Sequence, residues 1–161
     1  MDSDNFHEVL KGEDDLGVVI RSHIHIEAKL NELFEVIFNQ PKYLESMNLE
    51  YHQKVQIALA CGLDERFGAP LNTIGTIRNN FAHKLNAELG KNEVDSIYKS
   101  FSGDDKNLIQ VSYKKMKKHF HRNGPNSISK LSPGDGYTLL IIALRAALEA
   151  EIKRFKGKLS I

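Results

Sequence analysis

Apolar residues recur every three or four positions along most of the chain, which is the spacing of one face of an α-helix. The first such run extends from about Glu13 to Asn39. Asp14 and Asp15 stand where the positive end of a helix dipole favours acidic side chains, and Pro41 stops the helix. One stripe along this helix consists of Leu16, Ile20, His23, Glu27, Leu30, Phe34 and Ile37.

Two further helices follow in the first half of the chain. One is predicted from about residue 49 to residue 61, with Asn48 as its N-cap and Gly62 as its C-terminal stop. The other covers residues 71 to 85, and Pro70 precedes it at a favoured first-turn position. Gly75 inside this helix costs about 1 kcal/mol relative to alanine, so we expect another backbone to approach it closely. The stripe of the second helix consists of Leu71, Ile74, Arg78, Phe81 and Leu85.

The second half of the chain is predicted to contain three more helices. The first has an N-cap at Asn92 and ends near residue 101, and the second covers residues 104 to 122. Residues 123 to 136 are predicted to be a loop, and the last helix runs from about residue 137 to residue 155. That last helix is apolar nearly all round, so it should be buried centrally. The stripe of the 104–122 helix consists of Leu108, Val111, Met116 and Phe120.

These elements predict an all-α fold. The chain has 161 residues, which suits one domain with a full core. We expect a flexible N-terminal segment at residues 1–12 and a single helical bundle of six or seven helices at residues 13–161. In this bundle the 71–85 helix should pack antiparallel to the 13–39 helix.

Composition and charge limit the binding partners and the cellular location that we expect. The formal net charge is only +1, so nucleic-acid binding would need a local patch rather than a global field. The lone Cys61 rules out an internal disulfide and fits a reducing cytosol. The acidic N-terminus does not resemble a signal peptide, and the apolar run from Tyr137 to Leu148 is too short to span a bilayer. We therefore expect a cytoplasmic protein with no membrane partner.

Candidate chemistry concentrates in the stretch from Arg78 through Asn79 to His83. Asn79 and His83 are four positions apart and share a helix face. Arg78 and His83 are offset by roughly 140° around the helix axis and by about 7.5 Å along it, so one helix does not aim both at the same atom. An antiparallel homodimer would bring both groups from two chains into one cleft.

This stretch, Arg78-Asn79-Asn80-Phe81-Ala82-His83, resembles the R-x4-6-H motif of the HEPN superfamily of small all-α domains. Its order of residues is similar to that in the branch of the superfamily that contains the mannitol operon repressor family. The resemblance extends back through the helices around residues 16–27 and 52–55. It implies that an acidic residue of the first helix accompanies the Arg/His pair, and Glu27 is the candidate. Glu27 would hold Arg78 or His83 through a charge-assisted hydrogen bond.

Two other polar groups are candidates for binding or chemistry. His23 and His25 point about 200° apart on a helix and cannot chelate one ion, whereas His23 and Glu27 share a face. We interpret the latter as a polar pair at the edge of a core or dimer seam, and we expect no metal and no cofactor. A basic run near the end of the 104–122 helix is either a solvated face or an RNA-phosphate patch. Its members are Lys114, Lys115, Lys117, Lys118 and Arg122.

Two functions follow from the resemblance. Catalytic HEPN families imply a metal-independent endoribonuclease, with Arg78, Asn79, His83 and Glu27 as the active site and a toxin–antitoxin or phage-defence role. The mannitol repressor family implies a non-enzymatic transcriptional regulator or interaction module, in which Arg78 pairs with a carboxylate such as Glu27 and His83 is structural. The first reading predicts RNA and an antitoxin as partners, and the second predicts a regulatory protein. We found no Gly-rich phosphate loop, G-x-S-x-G motif or paired-cysteine zinc spacing in the sequence.

Overall fold

The structure is a computed structural model that describes residues 10, 12–84, 86–120, 125 and 127–159. Its regular elements are α-helices and two 3₁₀ turns, Glu65–Phe67 and Ile128–Lys130, and the described residues contain no strand. The predicted all-α class is therefore confirmed. The described residues contain seven α-helices, namely α1 (Asp15–Ile37), α2 (Lys42–Ser46), α3 (Tyr51–Ala60), α4 (Gly68–His83), α5 (Lys91–Ser100), α6 (Gly103–Phe120) and α7 (Pro133–Leu159).

Local capping explains where the first helices begin and end. The Asp14 carboxylate accepts a hydrogen bond of 2.7 Å from the Gly17 amide, so Asp14 is the N-cap of α1. The predicted N-cap Asn48 is wrong: Asn48 lies in the turn after α2 with φ of 49°, and α3 begins with a capping box formed by Glu50 and Gln53. Gly62 ends α3 at φ of 98°, as predicted. The short helix α2 was not predicted.

The helices α5 and α7 also begin earlier than the sequence predicted. Gly90, rather than Asn92, caps α5. The Ser132 hydroxyl accepts a hydrogen bond of 3.2 Å from the Asp135 amide, and α7 starts at Pro133 instead of residue 137. The predicted loop therefore loses its last four residues to the helix. Part of that loop, and the end of the predicted 104–122 helix, lie outside the described residues.

The helices assemble around α1 and α7. α1 packs along α7, and two ion pairs join them, Lys29–Glu149 (3.1 Å) and Glu32–Lys156 (3.7 Å). The later residue of α1 pairs with the later residue of α7. The two helices are therefore parallel. α4 packs against α1, α3 and α5. Asp15 at the start of α1 accepts a hydrogen bond of 2.8 Å from the Leu89 amide just beyond α4, which is the order expected of antiparallel helices.

The central burial of α7 agrees with the sequence, although one side of the helix remains partly exposed. The α7 side chains that are at most 1% exposed are Tyr137, Leu140, Ile141, Leu144 and Leu148. Arg145, which interrupts this apolar run, is also buried and donates to Glu149 at 2.9 Å. A buried guanidinium needs such a partner because an uncompensated charge in the core is very costly.

Two predicted stripes are displaced around their helices. On α1, Leu16 is 49% exposed, whereas Val19 and Ile26, outside the predicted stripe, are fully buried. On α6, Leu108 and Val111 are 62% and 51% exposed. Ile109 and Tyr113 are buried in their place. The side chains of Met116 and Phe120 lie outside the described residues.

No helix in the described part of the chain is both long enough and apolar enough to cross a lipid bilayer.

Gly75 of α4 faces an aromatic ring rather than another backbone, which corrects the prediction. A Cβ at this position would lie 3.0 Å from Cδ1 and Cε1 of Tyr51. The ring cannot retreat easily, because the Tyr51 hydroxyl donates to the Leu71 carbonyl at 3.1 Å and the ring packs on His23 at 4.3 Å between centroids. Gly75 therefore lets α3 approach α4.

This contact gives a stability prediction with a matched control. Gly157 of α7 is also helical, but a Cβ there meets nothing within 4 Å. Gly157→Ala should raise the free energy of unfolding by up to about 1 kcal/mol through helix propensity alone. Gly75→Ala should instead lower it, because the added methyl group displaces the Tyr51 ring. Urea denaturation measures both variants, and equal stabilisation at the two positions would contradict the contact.

Candidate functional site

The motif lies on the last two turns of α4, a helix with one buried face and one exposed face. One face is buried through Leu71, Ile74, Ile77 and Phe81, which hold α4 against its neighbours. The opposite face is exposed and carries uncharged polar residues and a histidine, namely Asn72, Thr76, Asn79, Asn80 and His83. The helix ends at His83, two residues before the predicted end, and Leu85 lies outside the described residues.

The structure places the three motif residues at the protein surface. Arg78 is half-buried at the edge of the core face, and its Nη1 donates a hydrogen bond of 3.0 Å to Oδ1 of Asn79. Asn79 and His83 are both exposed. Arg78 and Asn79 are thus brought together, whereas the helix turns His83 away from Arg78, as the offset of roughly 140° requires.

Glu27 does not join the motif residues through a hydrogen bond. Its Oε1 accepts a hydrogen bond of 2.7 Å from Lys54 Nζ, and its Oε2 lies 3.9 Å from Nδ1 of His23. The expected bond from Glu27 to Arg78 or His83 is absent, which corrects that part of the prediction. The reason is tertiary, because α3 crosses α1 at this level and brings Lys54 to the carboxylate first.

His23 is a buried polar residue in this region. It is 5% exposed and its ring packs on Tyr51. Burial lowers the pKa of His23, the charge of Glu27 acts in the opposite direction, and the charges of Arg78 and Lys54 lower the pKa further. The sequence singled out His23 and Glu27 as a polar pair at the edge of a core, but it gave no signal for Tyr51.

Tyr51 is therefore the residue that sequence reasoning missed. It links α3 to α1 through the His23 ring and to α4 through Leu71 and Gly75. Burial raises the pKa of its hydroxyl far above the ordinary tyrosine value, so the hydroxyl remains a hydrogen-bond donor. Tyr51 fixes α4 next to the polar group of α1, one helical turn before the motif begins.

The described residues contain no group of three or more histidine, cysteine, aspartate or glutamate side chains that could hold a metal ion. The His23–Glu27 pair is instead occupied by contacts to Tyr51 and Lys54.

The predicted basic run is only partly described. Lys114 and Lys115 are exposed on α6, and Lys117 is partly exposed. The side chain of Lys118 and the whole of Arg122 lie outside the described residues.

A separate groove of about 510 Å³ lies between α1, α2 and the start of α3, and none of its lining residues comes from α4. Phe34, Pro41, Leu44 and Leu49 supply its apolar part. Its polar members include Glu35 and Glu45, both exposed. The groove shares no residue with the motif.

Comparisons with protein-family models, with curated proteins and with solved structures found no match for this chain.

The position of His23 gives a pH prediction. Because the folded-state pKa is below the value of about 6.5 for an unfolded chain, the unfolded state binds the proton more readily as the pH falls. The free energy of unfolding should therefore decrease between about pH 7 and pH 5. His23→Gln should flatten this decrease, although His25, whose pKa is also lowered by burial, keeps part of it.

The control is His52→Gln, since His52 is exposed on α3. Denaturation curves at several pH values measure each variant. An equal slope in the wild type and in His23→Gln would show that His23 does not titrate as its burial requires.

Proposed function

We propose that this protein is a metal-independent endoribonuclease of the HEPN type that acts as a homodimer. The observation that carries the proposal is the accessible set of Arg78, Asn79 and His83 at the end of α4. Among the described residues, no carboxylate lies within ion-pair distance of Arg78, so its charge is available to a phosphate.

The proposed chemistry is transesterification within the RNA backbone. The ribose 2′-hydroxyl attacks the adjacent phosphorus, the bond to the 5′-oxygen breaks, and the products are a cyclic 2′,3′-phosphate and a 5′-hydroxyl. One imidazole accepts the proton of the 2′-hydroxyl, and a protonated imidazole donates one to the leaving oxygen. Arg78 donates two hydrogen bonds to the phosphate oxygens, where negative charge accumulates. Asn79 keeps the guanidinium oriented through the bond already present at 3.0 Å.

This chemistry needs two copies of the chain. One chain supplies a single motif histidine and turns it away from its own Arg78, whereas the reaction uses a proton acceptor, a proton donor and a cation. Two surfaces support the proposed association. The exposed face of α4 lacks charged side chains between Asn72 and His83. The neighbouring α1 exposes Leu16 and Ile24, with the partly exposed Ile20 between them at four-residue spacing.

Lys114 and Lys115 are the described members of the basic run that are exposed for contact with RNA phosphates. In this proposal the protein works in the cytoplasm as a toxin or phage-defence component, and a small antitoxin protein controls it. The proposal comes from the HEPN resemblance of the motif, not from the charge of the chain, which is only +1.

The alternative is a non-enzymatic regulator similar to the mannitol repressor family. In that reading Arg78 is clamped by Glu27. Among the described residues Glu27 accepts from Lys54 and His83 is exposed, and these two observations support the nuclease proposal over this alternative. The near-neutral charge remains the property that suits this alternative.

The first test removes each catalytic group. His83→Ala should reduce RNA cleavage by about 10²–10⁴-fold, and Arg78→Ala should reduce it comparably by removing charge stabilisation. Chelator should not affect the wild type, and the products should carry a cyclic phosphate. A mixed RNA pool is incubated with each purified protein in the presence of chelator.

Matched controls are His52→Ala and Arg21→Ala, both exposed residues away from the motif. They should cleave like the wild type. All four variants should melt within a few degrees of the wild type, because none of the four residues is fully buried. RNA left intact by the wild type, together with clearly lower melting temperatures for the two motif variants, would instead support the structural reading.

A second test asks whether the active site combines residues from two chains. The two imidazoles come from the two chains, so a heterodimer of wild type and His83→Ala holds one imidazole and should be inactive. Equal, random mixing with His83→Ala should therefore halve the activity of the wild-type chains, because half of them enter heterodimers. Activity that does not change on mixing, under conditions where subunits exchange, would show that each chain acts alone.

A further inference from the structure

The outward face of α6 carries a row of four residues whose two apolar members are largely exposed. The row consists of Asp104, Leu108, Val111 and Lys115, spaced four, three and four positions apart. This is the spacing of residues along the seam between two paired helices. Leu108 and Val111 are 62% and 51% exposed, and the two charged ends are exposed as well.

The body of the protein holds this row outward. Ile109 and Tyr113, on the opposite side of α6, are buried. Asp105 accepts a hydrogen bond of 2.6 Å from Nη1 of Arg66, and the Tyr113 hydroxyl donates to the Pro125 carbonyl at 2.8 Å. Because α6 is fixed at both its start and its middle, it cannot roll to bury Leu108 and Val111 without breaking these contacts.

The order of the four residues is complementary to itself when reversed. In an antiparallel pair of α6 helices centred between Leu108 and Val111, Leu108 lies opposite the partner's Val111. In the same pair Asp104 lies opposite the partner's Lys115, and the mirrored contacts repeat on the other side. This reciprocity is what a two-fold symmetric interface requires. A parallel pair would instead oppose aspartate to aspartate and lysine to lysine, which is destabilising.

We propose that two copies of this chain associate through antiparallel α6 helices along this row. A second copy is the occupant because the chain itself supplies the matching apolar pair and both opposite charges in the reversed order. This interface lies on a different helix from the contact that the proposed nuclease needs at α4, so it goes beyond the proposed function. Lys114 lies about 100° around the axis from Lys115 and stays outside the row, so it remains available to RNA phosphates, whereas the α6 pairing takes Lys115 from the RNA contact proposed above.

The contact is small, which sets the conditions of the test. One helix pair buries less than the roughly 1,200 Å² of a standard specific interface, so we expect weak, reversible association. Chains already joined at α4 would assemble further through α6, and chains not joined there would form α6 dimers. Loss of the α6 contact leaves α4 dimers in the first case and monomers in the second, so the mass falls in both cases and failure of the nuclease proposal does not affect the result.

The first experiment exchanges the charges. Lys115→Asp and Asp104→Lys each place two like-charge pairs in the interface and should weaken association by about tenfold. The double variant Asp104→Lys/Lys115→Asp recreates both opposite-charge pairs and should restore it. Sedimentation without RNA at concentrations of about 10–300 µM measures all three. Lys153→Asp, the same charge change at an exposed residue of α7, should not alter the mass.

The second experiment tests the direction of the helices. In a Cys61→Ala background, Leu108→Cys and Val111→Cys chains are oxidised separately and as a mixture. Antiparallel pairing predicts a disulfide-linked heterodimer in the mixture and little product from either chain alone, because residue 108 faces residue 111. Circular dichroism should confirm an unchanged helical fold, since both side chains are exposed.

Three outcomes would overturn the proposal. They are a wild type whose mass does not change up to about 300 µM, a double variant that associates no better than the single variants, and Leu108→Cys chains that cross-link with themselves as well as with Val111→Cys.

Discussion

The burial of α7 is the constraint on which the rest of the fold depends. Its inner residues, including Tyr137, Leu140 and Ile141, are fully buried, so other helices must cover them. α1 covers the largest part, and α5 covers another. The buried Arg145 makes this packing specific, because it pairs with Glu149, which also pairs with Lys29 of α1. If α1 slid along α7, apolar surface would become exposed and the paired charges would be separated at the same time.

The packing around α7 positions the candidate site indirectly, through the helices that lie between α7 and α4. α1 lies against α7, Tyr51 of α3 lies against His23 of α1, and α4 lies against Tyr51. The polar contacts around His23 thus form a rigid support at the base of the motif helix, while Asn79 and His83 project into solvent. These contacts join helix to helix, which is the kind of support that would hold the motif residues in place for the proposed reaction.

The two proposed associations use different physical means. At α4 the exposed face is polar and uncharged, so a partner chain there would bury little apolar surface. Its contribution would be the placement of its own motif residues in the shared cleft. On α6 an apolar pair lies between two charges of opposite sign. An antiparallel second copy places each charge opposite one of the other sign, so the order of these residues selects both the partner and the direction of its helix. Both surfaces are exposed sides of helices whose other sides supply buried residues, so the bundle can present them without weakening its core.

The sequence by itself determined that the protein is helical, that α7 is buried, and that Arg78 and His83 lie on one helix but point apart, because these properties follow from local periodicity. Tertiary packing decided the rest. Periodicity shows that Leu108 and Ile109 begin neighbouring stripes, but only the contacts with other helices select Ile109 for the core. The partner of Glu27 was likewise undetermined, because Lys54 lies 27 positions away and reaches it only when α3 crosses α1. Contacts between distant positions leave no mark in a local pattern, and they are what assemble a site.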